Sequence, residues 1–123
     1  MTRRTIVVVD DEPGFCETIA DLLEDEGYAV ETAVDGGAGL ALLRRLDPPP
    51  CLLILDLFMP VLDGNAVYRA MRADPALAAI AVVICTSDPD SAPAGLPVLT
   101  KPVSLMRVLE LVRASCGAPG GPT

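Results

Sequence analysis

Thr5-Ile6-Val7-Val8-Val9-Asp10-Asp11-Glu12-Pro13 is the stretch that decides how this chain is read. Its first five residues are all β-branched, too few for a helix, and apolar on both faces. A run of that kind is the mark of a strand in the interior of a parallel sheet, covered above and below. Three acids end the strand, and Pro13, suited to the first turn of a helix, opens the next element. Phe15, Ile19, Leu22 and Leu23 then fall on one stripe at helical spacing, and Gly27 follows the last turn.

The same alternation repeats outward from this unit. Tyr28 to Ala33 reads as a second strand, partly polar and therefore near an edge. Asp35-Gly36-Gly37 reads as a turn before a helix from Ala38 to Leu46, with Leu40, Ala41 and Leu43 inward. Asp47-Pro48-Pro49-Pro50 stops that helix. Cys51 to Leu55 is a third strand, apolar on both faces and ending at Asp56. A loop containing Pro60 leads to a helix from Gly64 to about Arg72. Ile80 to Cys85 is a fourth strand, ending at Thr86-Ser87, and Leu96 to Thr100 a fifth, before Lys101-Pro102. Ser104 is a suitable N-cap for a last helix with the stripe Leu105, Val108, Leu109 and Val112. Strand alternating with helix predicts an α/β fold, a doubly wound five-stranded parallel sheet with helices on both faces. Residues 1–116 form its one domain, and the Gly/Pro-rich residues 117–123 a flexible tail or linker stub.

Composition narrows the function. The chain has 123 residues, 51% of them hydrophobic and 21% charged, which fits one folded domain rather than a disordered segment. There is no histidine, which excludes a Ser-His-Asp triad and any His-ligated metal site within the chain. Seventeen acids against nine bases, a formal charge of −8, argue against nucleic acid as a partner of this domain. No apolar run has the length of a membrane span, and the first five residues lack a signal-peptide core, so the expected compartment is the cytoplasm. Cys16, Cys51, Cys85 and Cys116 are far apart in sequence and are expected to be reduced, buried thiols.

In open parallel sheets ligands bind beyond the carboxyl ends of the strands. The residues there are Asp10, Asp11 and Glu12, Asp56, Thr86 and Lys101. Each has an ordinary reading alone: acids at a helix N-terminus, an Asp in a turn, a hydroxyl capping a loop, a solvated lysine. Together they fit those readings poorly. Carboxylates held within about 5 Å repel by several kcal/mol at intermediate dielectric and need a cation among them. Oxygen-only donors favour a hard ion such as Mg²⁺, held by Asp11 and Asp56 with Asp10 nearby. Lys101 is the single lysine in a chain whose other bases are arginines, and a compact ammonium is a common phosphate contact. These groups suit phosphoryl transfer to a carboxylate, with Asp56 as nucleophile and Thr86 and Lys101 on the phosphoryl oxygens.

At this point the chain resembles the receiver domain of bacterial two-component response regulators. The resemblance spans Thr5 to about Cys116. It rests on Ile6-Val7-Val8-Val9-Asp10-Asp11-Glu12-Pro13, on Leu53-Ile54-Leu55-Asp56-Leu57-Phe58-Met59-Pro60 with Asp63-Gly64, on Val83-Ile84-Cys85-Thr86-Ser87 and on Thr100-Lys101-Pro102. It implies a flavodoxin-like sheet of order 2-1-3-4-5 and a phosphorelay role. Asp56 would be the phosphoacceptor, and Asp10 and Asp11 the acidic Mg²⁺ pocket with the Phe58 backbone carbonyl as a further ligand. Thr86 would be the switch hydroxyl and Lys101 the phosphate-contacting lysine. The donor would be a phosphohistidine on a sensor histidine kinase or histidine phosphotransfer protein. The receiver catalyses only its own phosphorylation and dephosphorylation and is not otherwise an enzyme. Its output passes to a downstream protein or a fused domain, and both a stand-alone receiver and a piece of a longer regulator fit the sequence.

Three departures from the family pattern stand out. Residues 87–100, 14 positions, separate Thr86 from Lys101 and include Pro89, Pro93, Gly95 and Pro97. A helix, two loops and a strand ordinarily need about 20, so the helix between the fourth and fifth strands is expected to be missing or reduced to a turn. Val98 stands where the family usually carries an aromatic that swings inward. Phe58 and Asp88 stand two residues beyond Asp56 and Thr86, at positions that influence acyl-phosphate lifetime in the family. A pseudo-receiver, acting as a constitutive interaction module, is therefore the alternative reading. A haloacid-dehalogenase-like Mg²⁺ phosphatase is a weaker one, since the general acid it needs two residues after the nucleophile is here Phe58.

Overall fold

The computed structural model describes residues 4–118. The elements run β1 (Thr5–Val9), α1 (Pro13–Asp25), β2 (Ala29–Ala33), α2 (Gly36–Arg45), β3 (Leu52–Asp56), α3 (Gly64–Ala73), β4 (Ala81–Thr86), β5 (Val98–Thr100) and α4 (Leu105–Cys116). All strands are parallel, in the order β2-β1-β3-β4-β5. β2, the partly polar strand, is at an edge as its composition implies. No helix among the described residues is long and apolar enough to cross a membrane.

Alternation along the buried strands builds a core on each face of the sheet. Val7, Val9, Leu53, Leu55, Val82 and Ile84 point to one side, where α2 and α3 cover them with Leu40, Leu43, Val67 and Met71. Ile6, Val8, Leu52, Ile54, Val83 and Cys85 point to the other, under Ile19 and Leu23 of α1 and Val108 and Val112 of α4. The apolar-on-both-faces runs therefore each serve two cores. The helix ends are set locally. Asp35, Asp63 and Ser104 cap α2, α3 and α4 by accepting from Ala38 N, Ala66 N and Arg107 N. At the end of α1, Gly27 N donates to Glu24 O and Tyr28 N to Leu23 O, with Gly27 at φ 100°. This paired bonding closes the helix and leaves the Tyr28 ring buried against Leu23.

Several boundaries differ from the sequence reading. Tyr28 belongs to the α1 cap rather than to β2. α2 begins at Gly36, since Asp35 caps it and both glycines enter its first turn; Ala41 is then exposed, and Leu42 takes the inward place. Leu105 is exposed on the first turn of α4 instead of lying in its buried stripe. Between β4 and β5 there is one 3-10 turn, Pro89–Ser91, where the short, proline-rich spacing left no room for a helix.

The cysteines need the clearest correction. Cys16 and Cys85 are buried free thiols as expected, but Cys51 and Cys116 form a disulfide, with Cα atoms 5.4 Å apart across a sequence separation of 65. Linear spacing hid the pair. In a parallel α/β fold each strand starts, and each covering helix ends, at the same edge of the sheet. Cys51 immediately precedes β3 and Cys116 closes α4, so topology brings them together.

Candidate functional site

Strand register places the acids. Val9 pairs with Leu55, so Asp10 follows β1 level with Asp56 at the end of β3. Asp56 pairs with Cys85, and Thr86 pairs with Thr100, which puts Lys101 one residue beyond the sheet on the neighbouring strand. Asp10 N donates to Ala33 O, and Lys101 N to Thr86 O at 2.8 Å, so the backbone is tied down where the side chains leave it.

Asp10 and Asp56 are buried, at 1% and 4% exposure, whereas Asp11 is exposed. One carboxylate oxygen from each of Asp10, Asp11 and Asp56 lies within 4.8 Å of the others. Among the described residues, the charge gathered there is met by one ammonium. Lys101 Nζ donates to Asp10 Oδ2 at 2.9 Å and Glu12 Oε1 at 3.1 Å, and sits 3.7 Å from Asp56 Oδ1. The second oxygen of Asp10 accepts from Glu12 N at 2.9 Å, which fixes its plane. Burial pushes the Asp56 carboxyl up to about 6, Asp10 and Asp11 push the same way, and Lys101 opposes them. Burial by itself would lower the Lys101 ammonium. Its hydrogen bonds to Asp10 and Glu12 and the Asp10 and Asp56 charges outweigh that and hold it above the ordinary lysine range.

The structure thus joins Asp10, Asp11, Asp56 and Lys101. Thr86 reaches the same edge, fully buried, but its Oγ1 accepts from Asp88 N at 3.0 Å and among the described residues makes no hydrogen bond to those four groups. The Phe58 side chain, 52% exposed, projects outward from the loop after β3. Three contributors were not assigned a role in the site from sequence. Glu12 shares the lysine; its place in the acid run was the available signal. The Phe15 ring lies with its centroid 4.8 Å from Lys101 Nζ, and no linear pattern marks that contact. Gly64 packs behind Asp56: a Cβ there would overlap the Asp56 carbonyl oxygen and lie 2.9 Å from Leu57 Cα. The Asp63-Gly64 pair after the third strand was its signal.

A buried strand-end Asp thus lies beside two more carboxylates and one lysine. The model of the response regulator receiver domain matches residues 6–113. The chain belongs to this family. Among curated relatives, the response regulator receiver protein Anae109_2439 of Anaeromyxobacter is 36% identical over 116 residues, 88% of this chain and 47% of that protein. The DNA-binding dual master transcriptional regulator RpaA of Synechocystis is 39% identical over 82 residues, 67% of this chain and 33% of that protein. The chain spans about half or less of these relatives. Among solved structures, the signal receiver domain of a histidine kinase from Syntrophus aciditrophicus superposes with a TM-score of 0.80 at 30% identity, covering 90% of this chain and 88% of that one. A receiver domain from Clostridium thermocellum gives 0.82 at 28%, covering 91% and 93%. As a receiver domain of response regulators, the chain is a module of two-component signalling. Such domains interact with histidine kinases and output domains and are generally not true enzymes.

Proposed function

We propose that this receiver accepts a phosphoryl group on Asp56 from a phosphohistidine of a sensor kinase or histidine phosphotransfer protein, and thereby switches a protein interaction. The observation that carries the reading is the clustering of Asp10, Asp11 and Asp56 within 4.8 Å around a lysine 2.9 Å from one and 3.7 Å from another. In the transfer, an Asp56 carboxylate oxygen forms the new P–O bond as the P–N bond to the partner imidazole breaks, and the imidazole keeps that electron pair and takes up a proton. Lys101 holds an oxygen of the arriving group. Thr86 would exchange its bond to Asp88 N for one to a phosphoryl oxygen, which links phosphorylation to the β4–β5 connection. The donor set fits Mg²⁺: carboxylates of Asp10, Asp11 and Asp56, with the Phe58 carbonyl as a further ligand and no nitrogen or sulfur. Bound there, Mg²⁺ would neutralise charge on the transferring group.

We further assign residues 1–116 to the receiver unit and residues 117–123 to a tail. Gly117 itself is held, accepting from Tyr28 Oη at 2.7 Å, and residues from 119 on lie outside the described ones. We place the domain in the cytoplasm, beside its phosphoryl donors. Disulfides are rare there, so the Cys51–Cys116 pair is expected to exchange with the thiol pool in that compartment.

A second reading is favoured by the lone 3-10 turn between β4 and β5 and by Val98: a pseudo-receiver that binds partners without phosphorylation. One experiment separates the two. Incubation with acetyl phosphate and Mg²⁺ is expected to add one phosphoryl mass, lost in Asp56→Asn. No mass gain in the unsubstituted protein would favour the pseudo-receiver.

A further inference from the structure

Lys101 is shared by three carboxylates, and the contact with Asp56 is the longest of the three. Glu12, 67% exposed, competes for the same ammonium from the solvent side. Two good hydrogen bonds to Asp10 and Glu12 would pull Nζ away from the nucleophile unless something confines it. A further wall is the ring of Phe15, on the first turn of α1, with Nζ over its face at 4.8 Å from the centroid. A ring face attracts a cation through its quadrupole, more strongly where water is excluded, and the Lys101 side chain is only 20% exposed. An aliphatic side chain of similar volume would fill the space without that attraction.

We infer that Phe15 is a positioning residue for Lys101, holding the ammonium over the Asp10–Asp56 pair, where an incoming phosphoryl oxygen would meet it. The inference rests on the phosphoacceptor reading of Asp56, and the two can be tested apart because the chain has a single lysine. With isotope-labelled lysine, the side-chain resonances of Lys101 can be followed with no overlap from other lysines. In the unsubstituted protein its ε-methylene protons are expected to be shifted upfield by the ring. Phe15→Leu should abolish that shift, and Phe15→Tyr, which keeps the face, should retain it. In parallel, Mg²⁺-dependent phosphorylation by acetyl phosphate should slow between about twofold and thirtyfold in Phe15→Leu, the span of a cation–π contact, and stay near the starting rate in Phe15→Tyr. Phe15→Met serves where the leucine variant does not fold. An unshifted Lys101 signal in the unsubstituted protein, or one that the leucine or methionine variant leaves unchanged, overturns the inference whether or not phosphorylation occurs. An unchanged phosphorylation rate with a lost ring shift also overturns it. Absence of phosphorylation in the unsubstituted protein sinks the phosphoacceptor reading instead, leaving the lysine signal to decide the placement.

Discussion

Lys101→Met tests the electrostatics of the pocket most directly, because methionine keeps much of the stem and removes the charge. At an effective dielectric of 20, an ammonium 2.9 Å from Asp10 is attracted by about 6 kcal/mol, and at 3.7 Å from Asp56 by about 4.5 kcal/mol. Desolvation offsets much of this; removing one partner of a buried pair costs about 3–5 kcal/mol, because the other charge is left unmatched. Glu12 adds little, being mostly in water. Metal-free Lys101→Met should therefore be less stable at pH 7.5 by about 3–5 kcal/mol, read from urea unfolding. The pH dependence has a definite sign. Asp56 binds its proton with a pKa raised from 3.8 to about 6 in the folded state, so protonation favours folding. Loss of Lys101, which opposes that rise, moves it higher still. The deficit should be full only above that higher value and shrink as the pH falls towards 6, below which both proteins hold the Asp56 proton and the difference levels off. Millimolar Mg²⁺ should restore part of it at pH 7.5 by supplying the missing positive charge. A deficit under about 1 kcal/mol, or one equal at pH 5 and pH 7.5, would refute the argument that Lys101 balances a buried acid pair.

The Cys51–Cys116 bridge closes a loop of 65 residues, for which chain entropy gives about 4 kcal/mol; reduction should lower urea stability by that order, with two thiols titrating before reduction of the unfolded protein and four after. Burial pushes Cys16 up to about 11 and Cys85 to about 12, so neither should react with iodoacetamide at pH 8 until the protein unfolds, as mass spectrometry would show. Gly64→Ala forces the start of α3 away from the end of β3 at backbone atoms, which no rotamer relieves; a stability loss of about 1–3 kcal/mol is expected, with a fall in phosphorylation of about a hundredfold from displacement of Asp56.

The fold was legible because its parallel strands announce themselves. β1, β3 and β4 are apolar on both faces and end abruptly in polar residues, and that end is also where the site lies. Asp10, Asp11, Asp56 and Lys101 could be named before their register was known, since strand ends in a parallel sheet share one edge. Contacts that cross from one face element to another were not legible. Nothing in the linear spacing of Phe15 and Lys101, or of Cys51 and Cys116, encodes the packing of α1 and α4 on the sheet. Ala41 and Leu42 show the other limit: both flank the Leu40–Leu43 stripe, and which of them is buried is decided by the packing of α2 on the sheet and not by the spacing. The 3-10 turn after β4 was readable for the opposite reason. Chain length and proline content restrict a short connection more strongly than side-chain pattern does.

The far end of α4 is pinned in three ways: the disulfide at Cys116, the Tyr28 hydroxyl on Gly117 and the 2.7 Å Arg113–Glu26 ion pair. Its near end, four residues past Lys101, carries exposed Leu105 and Met106. A rod fixed at one tip and nudged at the other pivots rather than slides. Its 12 residues make a lever about 18 Å long, so a 1 Å displacement at Lys101 becomes a swing of about 3°. The fulcrum is the Cys116 end, and the widest arc belongs to exposed Leu105 and Met106, ahead of Val108 and Leu109 where the helix meets the core.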